Sequence, residues 1–217
     1  MGTDNLGRDV FSRVVASIPS DLFVSVVVIV SAVLIGEVVG SYAAFYGGLI
    51  DEALMRVTDV FFAIPSLVLA MGIGIALGPG LTNMTIALMI VWWPTYARLA
   101  RGEALRISHQ NYIEAAKTSG LSTFRILLKH VMPNILLTMV IYATLDFGTV
   151  IVIYSGLSYL GLAVRPPLPD LGSMISTYQD YIVADPWLPL FPGLIIAIGV
   201  IGFSMFGDGL HDSLEVH

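Results

Sequence analysis

The chain has 217 residues, 56% of them hydrophobic and only 12% charged, with a mean hydropathy of +0.85. These values exclude a soluble globular domain and define an integral membrane protein, and the lack of any cysteine excludes disulfides, thiolate metal sites and cysteine nucleophiles. The net charge of −6 is unevenly placed: from Arg98 to His130 six basic residues face two acidic ones, so that stretch is +4 and the remainder −10.

The opening, from Met1 to Arg13, is polar, has no hydrophobic core and is not a signal peptide. Five stretches then have the roughly 20 apolar residues that cross a bilayer. The first runs from Leu22 to Tyr46 with Glu37 as its charge. The second spans Val57 to Leu77, with Asp59 near its start and Pro65 expected to kink it. The third, Leu81 to Leu99, carries Trp92, Trp93 and Pro94 near one end, where interfacial aromatics belong. The fourth, Asn134 to Leu157, contains Asp146, and the fifth lies between Leu188 and Phe206. Gly72, Gly74, Gly199, Gly202 and Ala87 read as places where helices pack closely.

Between the third and fourth spans lies a polar, basic loop, residues 100–133. Glu114, Ala115, Ala116 and Lys117 are strong helix formers, and Gly120 ends that helix where a left-handed residue fits without a Cβ clash. Ser122 is placed to cap a second short helix, which Pro133 is expected to close. Positive charge marks the cytoplasmic side, so this loop and residues 47–56 are expected inside, with seven Lys and Arg inside and three outside. The reading is one transmembrane domain over 1–217, with an external N-terminal segment (1–20) and an external loop (158–187). Residues 171–181 form either an interfacial helix that helps receive a soluble partner or a plug at the external end.

Glu-Ala-Ala, three residues, Gly, nine residues, then His-x-Met-Pro resembles the cytoplasmic signature loop of binding-protein-dependent ABC importer permeases. His130 and Met132 replace the family's usual Ile and Leu, as in the dipeptide, oligopeptide and nickel branch. Other landmarks follow in the family's order. They are Gly2-Thr-Asp-x-x-Gly-Arg-Asp-Val-x-Ser-Arg13, Leu157-Ser-Tyr-Leu-Gly-Leu, Arg165-Pro-Pro, Gly172, and Gly207-Asp-x-Leu-x-Asp-x-Leu near the end. The resemblance covers residues 2 to about 215. The first helix of the family is absent, which reads as truncation, and Val216 and His217 read as vector-derived.

The resemblance implies an all-α, polytopic helical fold of the type I ABC importer permease kind, in the inner membrane. It implies a second permease subunit, two ATPase subunits and an extracytoplasmic substrate-binding protein as partners. Glu114, Ala115, Ala116, Gly120, Ser122 and Pro133 are then the elements of the ATPase-coupling loop. The substrate class it implies is peptides or nickel chelates, with oligosaccharides carried by some relatives. No Gly-x-x-x-x-Gly-Lys-Ser/Thr occurs, so any ATP must be bound by another chain. Neither a cofactor, a metal site, an enzymatic activity nor a nucleic-acid partner is expected.

Glu37 and Asp146 are the deepest ionisable residues by position. Such groups are expensive in lipid, so they either line the translocation path or hydrogen-bond to a neighbouring helix or subunit. Tyr154, a further pathway candidate, stands where the family often has an acidic residue, a departure that weakens any transfer of pathway chemistry from relatives. Two rival classes stay open. A secondary transporter or channel without ATPases would show inverted repeats or broken helices at the midplane, and no persuasive internal repeat is evident. A membrane enzyme would need convergent reactive groups, whereas the adjacent Asp51 and Glu52 point apart on a helix.

Overall fold

A computed structural model describes residues 2–164 and 167–215; the landmark residues Arg165 and Pro166, and Val216 and His217, lie outside the described residues. The described residues form nine α-helices and no strand, with an isolated bridge between Thr3 and Asp9. The helices are α1 (Val10–Tyr46), α2 (Gly48–Phe62), α3 (Ser66–Leu77), α4 (Leu81–Ser108), α5 (Asn111–Thr118), α6 (Thr123–Ile126), α7 (Met132–Tyr159), α8 (Leu171–Tyr178) and α9 (Trp187–Glu215).

Three of the expected spans change outline. The first helix begins at Val10 rather than Leu22, because the Asp9 carboxylate accepts a 2.7 Å hydrogen bond from the Ser12 N–H and so caps α1. The segment expected as an external N-terminal extension is therefore half helical. The second span is a pair of helices bent by 86°, and the break runs through Ala63 to Pro65, which has no N–H to continue the ladder. The third forms as α4, 28 residues or about 42 Å long. Its Asn83, Thr85, Trp92, Trp93, Pro94 and Thr95 dilute its apolar character. Three helices are long and apolar enough to cross a membrane, α1, the run Thr123–Tyr159 and α9, and a fourth span results if the bent pair counts as one.

Two compact units emerge from the packing. The first comprises Met1–Ile29, Leu67–Ile90 and Thr144–His217. Its core includes Val10, Val14, Leu171, Met174, Tyr178 and Leu188, so α8 lays its apolar face on the first turns of α1 and α9. Helix α8 is thus seated on protein along this face. A Cβ on Gly172 would sit 2.1 Å from the Ser155 carbonyl oxygen, so backbones meet there, and one on Gly207 would sit 2.7 Å from Leu145 Cδ2, so a side chain packs onto its backbone. Gly74 meets Met84 in the same way, whereas Gly72 and Gly202 have open space and Gly199 makes only ordinary contact. Of the four glycines expected to pack helices, only Gly74 is tightly enclosed.

The N-terminal turn is tied down by Asp4. Its carboxylate accepts from the backbone N–H groups of Leu6 and Arg8, from Arg8 Nε at 2.7 Å and from the Tyr178 hydroxyl at 2.9 Å. Burial works to raise the Asp4 carboxyl, but the Arg8 N–H and guanidinium, the Tyr178 hydroxyl and the Leu6 N–H outweigh it and hold the group at about 2. Burial, then Asp4 itself, pushes the Tyr178 hydroxyl up.

The second unit comprises Val30–Ser66 and Val91–Ala143. Helices α1 and α4 cross at Gly36 and Gly40, where a Cβ would stand 2.4 Å from Tyr96 Cβ and 2.1 Å from the Ala97 carbonyl oxygen respectively. Helix α2 is fastened to α4 by Arg101, whose Nε and Nη2 each meet an oxygen of Asp51 at 2.6 Å. Arg98 pairs with Asp59 and lies 4.0 Å above the Phe62 ring. Asp51, one of the two adjacent acids weighed for a membrane enzyme, is thus taken up in a fork-to-fork ion pair.

Candidate functional site: the loop at residues 111–133

Helix α5 starts after Gln110, which supplies no side-chain cap, and complements its dipole with Glu114 in the first turn and Lys117 in the last. It ends in a Schellman motif. Gly120 sits at φ 78°, its N–H reaches the Lys117 carbonyl at 3.0 Å, and the Leu121 N–H reaches the Ala116 carbonyl at 3.2 Å. The Thr118 and Ser119 hydroxyls both donate to the Ala115 carbonyl, so the last turn has no orphan acceptor there.

Ser122 occupies the N-cap of α6 in extended backbone, yet its hydroxyl makes no cap hydrogen bond. Pro133 does not close this helix. The chain runs on from Thr123 to Tyr159, with a π-helical turn over Leu127–Val131 in which the Met132 N–H bonds to the Leu127 carbonyl. The wider turn stands immediately before the proline, where the regular ladder would clash with the pyrrolidine ring.

The two short helices are pinned from beneath and open above. Ile113, Ile126 and Leu127 are buried, whereas Glu114, Ala115, Lys117 and Gly120 are exposed and Ala116 is half-buried. Lys117 Nζ lies 5.6 Å from the Phe45 ring centroid at the end of α1, which links α5 to a long helix. Two further residues of this surface were not singled out from the sequence: Tyr112 and Phe124, exposed by 45% and 61%. Only their isolation in a polar segment signals them.

The pathway candidates belong to different units. Glu37 is buried on α1 in the second unit. Asp146 is half-buried, and Tyr154 is fully buried on α7 in the first unit, about 12 Å further along the helix axis. Tyr154 does not stand alone: its hydroxyl faces two carboxyls, Asp21 of α1 and Asp170 at the head of α8, neither of which the sequence pattern marks.

An all-α chain with apolar spans and a rigid, exposed helix–turn–helix between them has the build of a transporter membrane subunit. The family model described as binding-protein-dependent transport system inner membrane component matches residues 36–216. The chain belongs to this family of ABC importer inner-membrane permeases, in the branch of its dipeptide-type members. It is 40% identical over 214 residues to the dipeptide transport system permease protein DppC of Alkalihalophilus pseudofirmus, covering 99% of this chain and 70% of that relative. It is 38% identical to the probable D,D-dipeptide transport system permease protein DdpC of Escherichia coli, with 99% and 72% covered. The glutathione transport system permease protein GsiD of Pectobacterium atrosepticum is 34% identical, with 99% and 71% covered. In fold, the chain is similar to an inward-facing structure of the MetNI methionine ABC transporter, at a TM-score of 0.76 and 21% identity over 94% of this chain and 96% of that one.

Proposed function

We propose that this chain forms, with a second permease subunit, the translocation path of an ATP-driven importer, and that α5 with its Gly120 turn is the element through which two ATPase subunits act on it. The observation that carries this reading is the loop itself. A short helix is locked at its C-terminus by a Schellman motif, anchored by Ile113, Ile126 and Leu127, and presents Glu114, Ala115 and Lys117 to solvent. A push on such an element moves the helices it is anchored to, because little of the displacement is lost in loop deformation.

Ala115 allows close backbone approach by a partner groove, Glu114 offers it a charge, and the exposed Tyr112 and Phe124 rings supply apolar anchors of the kind that dominate interfaces. The charge distribution supports a cytoplasmic position for this loop and an external one for residues 158–187, where an extracytoplasmic binding protein would deliver the substrate. Peptides and glutathione are the substrates that the relatives' names support; nickel chelates have no such support among them. Glu37 or Asp146 is the carboxylate with which the path would attract an ammonium group of a peptide.

The experiment is purification of the chain from its native membrane in mild detergent, as wild type and as Gly120→Pro. ATPase subunits that accompany the wild type and are lost from the variant are the expected result. Wild type that brings no ATPase even after gentle crosslinking would return the chain to the secondary-transporter class.

A further inference from the structure

Within the first unit, three helices bring together oxygen atoms that find no hydrogen-bond partner among the described residues. They are both carboxyl oxygens of Asp21, the second oxygen of Asp170 and the Tyr154 hydroxyl, with Ser155 Oγ alongside Tyr154 on α7. Asp21 is 3% exposed, and Tyr154 and Asp170 are fully buried. The Asp21 carboxyl faces that of Asp170, and the Tyr154 hydroxyl faces both. Two carboxylates this close, out of water, cannot both stay ionised.

The surroundings distinguish the two acids. Asp170 has the donors that favour an anion: the Ser158 hydroxyl and the Ser173 N–H, at 3.0 Å, both reach its Oδ1, and it N-caps α8, where the helix dipole favours negative charge. Asp21 is less well served: the Leu171 N–H and the Ser20 hydroxyl bear on its carboxyl without completing a hydrogen bond, and the Ser20 hydroxyl donates instead to the Ser17 carbonyl at 2.7 Å. Among the described residues no cation is paired with the two acids. Arg8 is paired with Asp4, and Arg13, which acts on Tyr178, lies about 12 Å along α1 from Asp21. Helix α7 contributes Tyr154, Ser155 and Ser158, and α8 contributes Asp170 and Ser173.

We propose that Asp21 and Asp170 form a buried proton-binding site, in which Asp21 carries the acid proton and donates it to Asp170 Oδ2 while Tyr154 donates its own to the same pair. One proton satisfies the facing oxygens of both carboxyls and removes one of two negative charges. The site also latches α8. Gly172, two residues beyond Asp170, rests directly on the Ser155 backbone, so the bond between α1 and the head of α8 holds that contact shut. Loss of the proton sets two anions against each other across it.

Infrared spectra of the full-length chain in lipid nanodiscs test this, in water and deuterium oxide at neutral pH. The expected result is a protonated-carboxyl C=O band that shifts on deuteration and is missing from Asp21→Asn; the subtraction removes any contribution from the buried Glu37. Asparagine is isosteric with the protonated acid, so Asp21→Asn is expected to melt with the wild type at neutral pH. It is also expected to stay level as pH rises, where the wild type declines. Identical bands in wild type and variant, or an Asp21→Asn protein that melts well below the wild type at neutral pH, would overturn the proposal. So would a melting temperature that sodium chloride raises over choline chloride in the wild type alone, since the site would then hold a metal cation.

Discussion

Replacing Gly120 separates backbone conformation from every other property of the coupling loop. No atom lies within 4 Å of the position its Cβ would take, so alanine there meets no neighbour, and the whole cost is that of holding an L-residue at φ 78°. That cost is about 1 kcal/mol for alanine and less for asparagine, which tolerates the left-handed region. For a β-branched valine it rises to roughly 2 kcal/mol. Proline adds the loss of the N–H bonded to Lys117 and a fixed φ of the wrong sign, roughly 3 kcal/mol or more. At about 1.4 kcal/mol per factor of ten, the ratio of formed to frayed turn falls about 5-fold for alanine and more than 100-fold for proline. ATP-dependent uptake by membranes containing the full importer, normalised to the amount of chain inserted, is expected to fall in the order Gly, Asn, Ala, Val, Pro. Gly102→Ala is the control, because Gly102 lies inside α4 with open space and no positive φ. Normal uptake by Gly120→Pro, or an equal loss in Gly102→Ala, would refute the reasoning.

Glu114→Lys is expected to abolish uptake while the chain remains in the membrane, since it reverses the one exposed acidic charge on α5; normal uptake at normal expression would remove Glu114 from the coupling role. Gly40→Ala drives a methyl against the Ala97 carbonyl and is expected to lower stability in detergent by about 1–3 kcal/mol, whereas Gly72→Ala, with open space, leaves the melt unchanged. Asp51→Ala and Arg101→Ala are each expected to cost about 1–2 kcal/mol, and the double variant less than their sum, because the fork-to-fork pair is one interaction. Strict additivity in a double-mutant cycle would show the pair to be inert. Asp4 has a folded value near 2, below its unfolded one, so its contribution is fully present above about pH 4 and is lost as pH falls toward 2. That contribution is on the order of 2 kcal/mol. Wild type is expected to lose that much more stability than Asp4→Asn between pH 5 and pH 2, and parallel melting curves would contradict the assignment.

Composition and charge by themselves determined that this chain lives in a membrane, and the run from Glu114 to Gly120 by itself determined a helix with a left-handed end. Both are local: hydropathy sums along the chain, and a Schellman motif needs only residues within one turn of each other. Local reading failed where neighbours distant in sequence or ladder continuity decide. Pro133 was expected to end a helix, but a π-helical turn set before it lets the helix continue. Asp59 is in sequence only an acid near the start of a span, and the fold pairs it with Arg98, while Gly36 and Gly40 have no mark among many glycines apart from α4 crossing them. Asp21 and Asp170 are ordinary acids in the sequence, near a span end and in a polar loop. Only the folding of α8 onto α1 and α7 sets their carboxyls face to face, because a close like-charge pair is a property of packing and has no signature in spacing.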